Sequence, residues 1–148
     1  MNVDASFFDN SEAFSIGMVV RNHQGTFIRG KMMRFAGRVQ ALEAELVGIL
    51  EAIKWSAEFQ GNTICIESDS LCSVQAIKGQ DQNQLETGLL IDQCRELLKS
   101  RDWVLLSFIK KQANKVAHLL AKLPFTLNSF IVLSSPPSYV LGTLMSDI

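Results

Sequence analysis

The order of apolar and polar residues divides the start of the chain into short extended segments. Apolar runs bounded by turn residues predict three strands, at residues 1–8, 13–21 and 26–35. Turn-forming residues separate them, with Asp9-Asn10-Ser11 in the first gap and Asn22-His23-Gln24-Gly25 in the second. Gly25 suits a hairpin turn, since glycine adopts a positive φ at little cost. Three consecutive antiparallel strands of this kind form a meander.

The next segment has the periodicity of an amphipathic helix. Its apolar residues are spaced three and four positions apart, at Val39, Leu42, Leu46, Ile49, Leu50 and Ile53. The pattern continues to about Phe59, and the following Gly61-Asn62 is typical of a helix end. We therefore expect one long helix here.

Helices and strands alternate along the rest of the chain. The pattern predicts a buried strand at residues 63–66, and Asp69-Ser70 offers an N-cap for a helix that is closed by Gly79. A polar linker at 80–84 is followed by a predicted helix at 85–99, a strand at 103–109 and a helix at 114–123. In the remaining tail, residues 130–133 are strand-like and residues 139–145 favour a last helical turn.

The predicted element order, β-β-β-α-β-α-α-β-α, indicates an α/β fold. Three antiparallel strands followed by alternating helices and strands favour a mixed five-stranded sheet, with parallel strands beside the meander and helices on both faces. We assign residues 1–123 to this domain and expect residues 124–148 to pack against it as a C-terminal tail.

Composition is that of a globular protein and argues against several other classes. Of the 148 residues, 47% are hydrophobic and 20% are charged, which suffices for one packed core. No apolar run approaches the roughly 20 residues of a membrane-spanning helix, and residues 1–8 lack the basic-then-apolar order of a signal peptide. The three cysteines show no C-x-x-C spacing, which favours free thiols in a reducing compartment. We expect an intracellular protein with no membrane contact, and the pattern does not indicate its oligomeric state.

Charge is unevenly distributed, although the net charge is only −1. Basic residues dominate residues 21–38 and 95–122, and acidic residues dominate residues 43–92. Two basic segments around an acidic one favour a phosphate-attracting rim beside a carboxylate site. An uneven surface without a function is the alternative interpretation.

Two aspartates stand at unusual positions in the predicted strands. Asp4 lies inside an otherwise apolar first strand, where a carboxylate is rarely buried without a partner or a metal ion. Asp69 follows the buried strand at 63–66, and the carboxyl ends of such strands are where α/β proteins gather ligands. The alternatives are an edge-strand aspartate facing water for Asp4 and a plain helix N-cap for Asp69.

Glu45 is singled out by its position on the long helix. At about 100° per residue, it falls at the margin of the apolar stripe, whereas Glu43 falls on the solvated face. Small residues lie on the same side, namely Ala41, Gly48 and Ala52, and they let a helix approach a sheet closely. Glu45 is therefore expected to point into the helix–sheet contact. The alternative is a boundary glutamate that reaches water.

Three carboxylates brought together would repel one another, and divalent cations relieve that repulsion. Oxygen ligands without nitrogen or sulfur partners suit Mg²⁺ or Mn²⁺ better than zinc. Two such ions about 4 Å apart activate a water molecule and stabilise the leaving oxygen in phosphodiester hydrolysis. Asp4, Glu45 and Asp69 are thus the predicted metal ligands of a two-ion site.

Short motifs with a characteristic order and spacing run along most of the chain. They are Asn2-Val3-Asp4-Ala5-Ser6, Gly17-Met18-Val19-Val20-Arg21-Asn22, Glu43-Ala44-Glu45-Leu46, Glu67-Ser68-Asp69-Ser70 and Asn114-Lys115-Val116-Ala117-His118-Leu119-Leu120-Ala121. Together with the element order, they resemble the ribonuclease H-like fold. More narrowly, the chain is similar to the plant domains of this fold that are related to retroelement reverse transcriptases.

The resemblance implies endonucleolytic cleavage of the RNA strand of RNA–DNA hybrids with Mg²⁺. Asp4, Glu45 and Asp69 match three of the family's four metal-binding acids, and His118 stands where active members carry the fourth, an aspartate. Neutral imidazole binds Mn²⁺ but is a poor Mg²⁺ ligand. We expect weakened activity, a changed metal preference or loss of activity. The alternative function is a non-catalytic module that binds hybrid or double-stranded RNA or another partner.

Nucleic-acid contacts are expected from residues around these acids. Within the matching motifs we assign this role to Ser6 and Asn114, and Lys110, Lys111 and Lys115 are expected to contact phosphates. Lysines that contact only water are the alternative. The linker at 80–84 lacks the basic insertion of some cellular members, which favours weaker substrate binding.

Overall fold

The computed structural model describes residues 1–8, 12–79, 87–123 and 130–146. The predicted turn at residues 9–11 and the predicted linker at 80–84 lie outside the described residues.

The centre of the molecule is one mixed sheet. Its strands are β1 (Asn2–Phe7), β2 (Ala13–Arg21), β3 (Phe27–Ala36), β4 (Ile64–Ser68), β5 (Val104–Phe108) and β6 (Phe130–Leu133). Their order across the sheet is β5-β4-β1-β2-β3-β6. The predicted meander is present, because β1 pairs antiparallel with β2 and β2 with β3. β4 then joins β1 in parallel, and β5 joins β4 in parallel. The expected mixed α/β fold is confirmed.

The sheet has six strands rather than the predicted five. The additional strand is Phe130–Leu133, which pairs antiparallel with β3 from Gly30 to Met33. Its apolar residues already favoured an extended conformation. Their partner is about a hundred residues away in the sequence, and periodicity along one segment carries no information on such a pairing.

The helices are α1 (Ala41–Trp55), α2 (Leu71–Lys78), α3 (Gly88–Ser100), α4 (Lys115–Ala121) and α5 (Leu141–Ser146). The long predicted helix ends earlier than expected, because Ser56–Phe59 forms a 3₁₀ turn after α1. The predicted helix at 114–123 is also shorter, because Asn114 is the N-cap of α4 and Lys122 is its C-cap. None of the helices in the described ranges is long and apolar enough to cross a bilayer.

Helices cover both faces of the sheet. Successive side chains of a strand point to opposite faces, so alternate residues pack against different helices. On one face, Ile16 and Met18 of β2 belong to the larger core with α1 and α3. On the other face, Val19 of β2 and Met32 of β3 form a smaller core with α4 and α5. The tail contributes Val140 and Leu144 to this smaller core. The division of the chain at residue 123 stays a prediction.

α4 lies directly on β2 because Gly17 leaves room for it. A Cβ at Gly17 would overlap the carbonyl oxygen of Ala117 and the backbone nitrogen of Ala121. The hydroxyl of Ser15, two residues earlier on the same face, donates a hydrogen bond to the Ala121 carbonyl. These contacts fix α4 against the strands and so fix where its side chains point.

Candidate metal centre

The register of two parallel strands brings two aspartates side by side. The last pair in the ladder between β1 and β4 is Val3 with Ser68. The next residue on each side is an aspartate, Asp4 within β1 and Asp69 directly after β4. Both carboxylates therefore lie where the two strands separate, at the carboxyl end of β4, which is where α/β sheets hold ligands.

Glu45 reaches the same position from α1 because this helix packs closely on β1. Gly48, one turn further along α1, is buried, and a Cβ there would lie 3.3 Å from Val3 Cγ2 and 3.1 Å from Ile16 Cδ1. A glycine at this contact lets the helix approach the strand that carries Asp4. The predicted orientation of Glu45 into the helix–sheet contact agrees with its partly buried position.

The structure brings together the three carboxylates that the sequence singled out. One ligand atom each of Asp4, Glu45 and Asp69 lies within 4.8 Å of the other two. Asp4 is buried, with a side chain only 5% exposed, and the other two are partly buried. Oxygen donors at this spacing, supplied by three separate elements, fit a divalent cation with hard-ligand preference.

Burial, together with neighbouring charge, raises the proton affinity of two of these carboxylates, Asp4 and Glu45. Burial is the largest cause of the raised pKa of Asp4, and the neighbouring charge of Asp69 adds to it, while a hydrogen bond with His118 opposes it. Burial also raises the pKa of Glu45 to about 9, with further contributions from Asp4 and Asp69. In the metal-free protein, the cluster therefore retains a proton at neutral pH. A cation that binds there must displace this proton.

His118 contacts the cluster from α4. Its Nδ1 lies 2.7 Å from Asp4 Oδ2, and its side chain is 34% exposed. With Asp4 ionised, this nitrogen donates the hydrogen bond. His118, at the position where the sequence comparison expected a fourth acid, thus contacts Asp4 of the cluster through an imidazole.

Asn114 and Ser6, which were assigned to nucleic-acid binding, are both buried. Asn114 is 1% exposed, and its amide contacts Asn2, Val3 and Asp69. Ser6 is 8% exposed and lies within the ladder of β1 and β2. Both side chains are thus largely enclosed by the protein, and the assignment of Ser6 and Asn114 to nucleic-acid binding stays a prediction.

Lys110, Lys111 and Lys115 are exposed, on the turn before α4 and at its first residue. They are close in the sequence to Asn114, whose side chain touches Asp69. Their contact with phosphates stays a prediction.

Two residues near the cluster had no predicted role. Asn2 is 4% exposed and donates to Asn114, and Arg21 donates to Asn2. Asn2 shares a strand face with Asp4, two positions away, which was the signal available in the sequence. Its partner on α4 was not visible there.

A sequence profile described as reverse transcriptase-like matches residues 2–123. The chain belongs to the reverse transcriptase-like family. Comparison with curated proteins gives no match. The predicted resemblance is confirmed at this level, whereas a plant origin stays a prediction.

Solved structures similar to this reverse transcriptase-like domain include ribonuclease H proteins. RNase H1 from the archaeon Halobacterium salinarum has a TM-score of 0.70 and 22% identity, covering 81% of this chain and 91% of its own. LC11-RNase H1, isolated from compost and solved with an RNA/DNA hybrid, has a TM-score of 0.70 and 16% identity, with 80% and 90% covered. The RNase H domain of prototype foamy virus has a TM-score of 0.63 and 14% identity, with 81% and 88% covered. At these identities the likeness shows the fold, which is ribonuclease H-like as expected.

Proposed function

We propose that this domain binds RNA–DNA hybrids and hydrolyses their RNA strand with divalent metal ions held by Asp4, Glu45 and Asp69. The observation that carries the proposal is the convergence of these three carboxylates within 4.8 Å. They come from β1, α1 and the end of β4, so that only the folded chain assembles them.

The donor set favours Mg²⁺ or Mn²⁺, and we infer a site for two ions. When bound, the ions supply an activated water molecule and stabilise charge on the leaving oxygen. Asp4 and Asp69 would hold them at the separation of the strands, and Glu45 from the side of α1. Glu45, whose pKa is raised to about 9, would have to release its proton to solvent in order to hold a cation. These residues bind and orient, and none of them needs to act as a nucleophile.

Nucleic acid as the partner is supported by relatives and by charge. LC11-RNase H1 and the foamy viral protease-reverse transcriptase were each solved in complex with an RNA/DNA hybrid. The exposed Lys110, Lys111 and Lys115 would contact phosphates beside the carboxylates. We expect the domain to act inside the cell.

His118 lowers the expected rate and shifts the metal preference. An imidazole hydrogen-bonded to Asp4 adds no negative charge for a cation. Mn²⁺ accepts nitrogen ligands more readily than Mg²⁺ does. We therefore expect cleavage to be slow in Mg²⁺ and faster in Mn²⁺.

Incubation of the purified chain with an end-labelled RNA–DNA hybrid tests the proposal. Cleavage within the RNA strand is expected in Mn²⁺, and the Asp69→Asn protein should show none, because it loses a ligand at nearly constant size. Asp92→Asn is the matched control, since Asp92 on α3 is 69% exposed and pairs only loosely, at 4.0 Å, with Arg95. A folded protein that cleaves in neither metal overturns the proposal.

A second function, binding without cleavage, is favoured by the imidazole at position 118. In this case the chain would bind hybrid or double-stranded RNA with an affinity that falls steeply with salt. Asp4→Asn and Asp69→Asn would then leave binding unchanged, whether or not metal is present. Filter binding of both variants separates the two functions.

A further inference from the structure

Asn114, at the N-terminal end of α4, is surrounded by hydrogen-bond partners from other elements. Its Oδ1 accepts a hydrogen bond from Asn2 Nδ2 at 3.2 Å. Its Nδ2 donates to the carbonyl oxygen of Val3 at 2.9 Å and to Asp69 Oδ2 at 3.4 Å. With an exposure of 1%, the side chain belongs to the interior. All of its polar atoms are thus engaged, and one of them touches a proposed metal ligand.

Asn114 lies beside the point where the pairing of β1 with β4 ends. Val3 and Ser68 are the last paired residues of β1 and β4, so the ladder no longer holds the chain at Asp69. The amide of Asn114 spans this opening, because it bonds the backbone of β1 at Val3 and the carboxylate that follows β4. It therefore links Asp69 to the strand that carries Asp4.

A row of hydrogen bonds with one common direction fixes the orientation of this amide. Arg21 Nη2 donates to Asn2 Oδ1 at 3.2 Å, and Asn2 Nδ2 donates to Asn114 Oδ1. Asn114 in turn donates to Asp69. Rotating either amide by 180° would set donors against donors or acceptors against acceptors. A guanidinium at one end and a carboxylate at the other also polarise the amides between them, which strengthens each bond.

We propose that Asn114 is a positioning residue, which orients the Asp69 carboxylate for cation binding, and that Asn2 and Arg21 fix the direction of its amide. The inference rests on the proposed function, since it concerns the same metal ligands. It assigns Asn114 a task inside the protein, distinct from contact with nucleic acid.

Calorimetric titration of the full chain with Mn²⁺, without nucleic acid, tests the positioning role. Asn114→Ser shortens the side chain so that it no longer spans Val3 and Asp69, yet serine remains a good helix N-cap residue. We expect its Mn²⁺ affinity to fall by roughly tenfold or more, as for other residues that orient metal ligands. Affinity equal to that of the parent overturns the inference.

Ser15→Ala is the matched control, because it also removes a buried hydrogen bond to α4, but one that ends on the Ala121 carbonyl rather than on a carboxylate of the cluster. Its Mn²⁺ affinity should stay within about twofold of the parent, well below the tenfold change expected for a lost orienting residue. If Ser15→Ala loses as much Mn²⁺ affinity as Asn114→Ser, the inference is overturned. Such a result would mean that the affinity depends on the packing of α4 against the sheet and not on the amide of Asn114. Thermal midpoints of both variants, measured without metal, show whether their stabilities match.

Asn2→Ala provides a second test that keeps Asn114 and Asp69 in the chain. It removes the donor that holds Asn114 Oδ1, and we expect a loss of affinity of several-fold, smaller than for Asn114→Ser. If Asn114→Ser does not fold, this variant decides, and unchanged affinity overturns the inference. A folded parent that binds no Mn²⁺ is a separate result, which overturns the proposed function together with the inference that rests on it.

Discussion

The buried carboxylates hold their protons more tightly in the folded protein than in the unfolded chain. The pKa of Glu45 rises from 4.5 to about 9, and that of Asp4 is raised as well. Below pH 4.5 Glu45 is protonated in both states. Between pH 4.5 and about 9 the unfolded chain loses this proton while the folded protein keeps it, so folded stability falls as pH rises through this window.

Glu45→Gln should therefore stabilise the metal-free protein at pH 8 while changing little at pH 4. At pH 8 the ionised Glu45 of the unfolded chain must take up a proton on folding, whereas the amide is neutral in both states, and we expect a gain of more than about 1 kcal/mol. Urea denaturation in EDTA at several pH values measures this. Glu43→Gln, two residues earlier on α1, is the control and should keep the pH dependence of the parent. A Glu45→Gln protein with that same dependence would contradict the prediction.

His118→Asp should increase cleavage in Mg²⁺. The new carboxylate would replace an imidazole that lies 2.7 Å from Asp4 and would supply another oxygen ligand of the kind Mg²⁺ prefers. We expect a gain of roughly tenfold in the rate, equivalent to about 1.4 kcal/mol of barrier. Initial rates on the RNA–DNA hybrid measure it. His23→Asp makes the same charge change at an exposed turn residue and should have little effect.

At the scale of single residues, candidate site residues could be recognised in the sequence where they conflict with the local apolar pattern. Asp4 is a charge in an apolar strand, and Glu45 is an acid at the margin of an apolar stripe. The burial of Asn114 was not predictable, because its partners lie 111, 112 and 45 positions away and no local rule pairs them.

At the scale of elements, the contact between β2 and α4 depends on the absence of a side chain at Gly17. Gly17→Ala would force a methyl group into the backbone of α4, at Ala117 and Ala121. We expect a loss of about 1–3 kcal/mol in the free energy of unfolding. Urea denaturation measures it. Gly142→Ala in α5 is the control, since no atom lies within 4 Å of a Cβ there, and it should be neutral or stabilising.

Element types were predictable from periodicity, whereas some bounds and partners were not. α1 was expected to continue to Phe59, and the residues Ser56–Phe59 instead turn as a 3₁₀ helix. The hydroxyl of Ser56 bonds the carbonyl of Ile53, and the guanidinium of Arg101 donates to both residues. Such a contact between distant segments is not contained in the apolar pattern of one helix.

At the scale of the whole molecule, cation binding should stabilise the fold. Three ligands from separate elements meet only in the folded state, so a bound ion favours that state by mass action. At a Mn²⁺ concentration a hundredfold above the dissociation constant, we expect about 2.7 kcal/mol of added stability. Thermal unfolding with and without Mn²⁺ measures the shift. Asp69→Asn should abolish it, and Asp92→Asn should retain it.

The helices that pack over the two cores, on opposite faces of the sheet, both contribute residues to the proposed metal centre. Glu45 belongs to the helix over the larger core, whereas Asn114 and His118 belong to the helix over the smaller one. Transient undocking of α4 would leave the larger core intact and yet withdraw two neighbours of the aspartates. Occupancy by a cation should in turn slow amide hydrogen exchange in α4, at residues that the ion itself never touches.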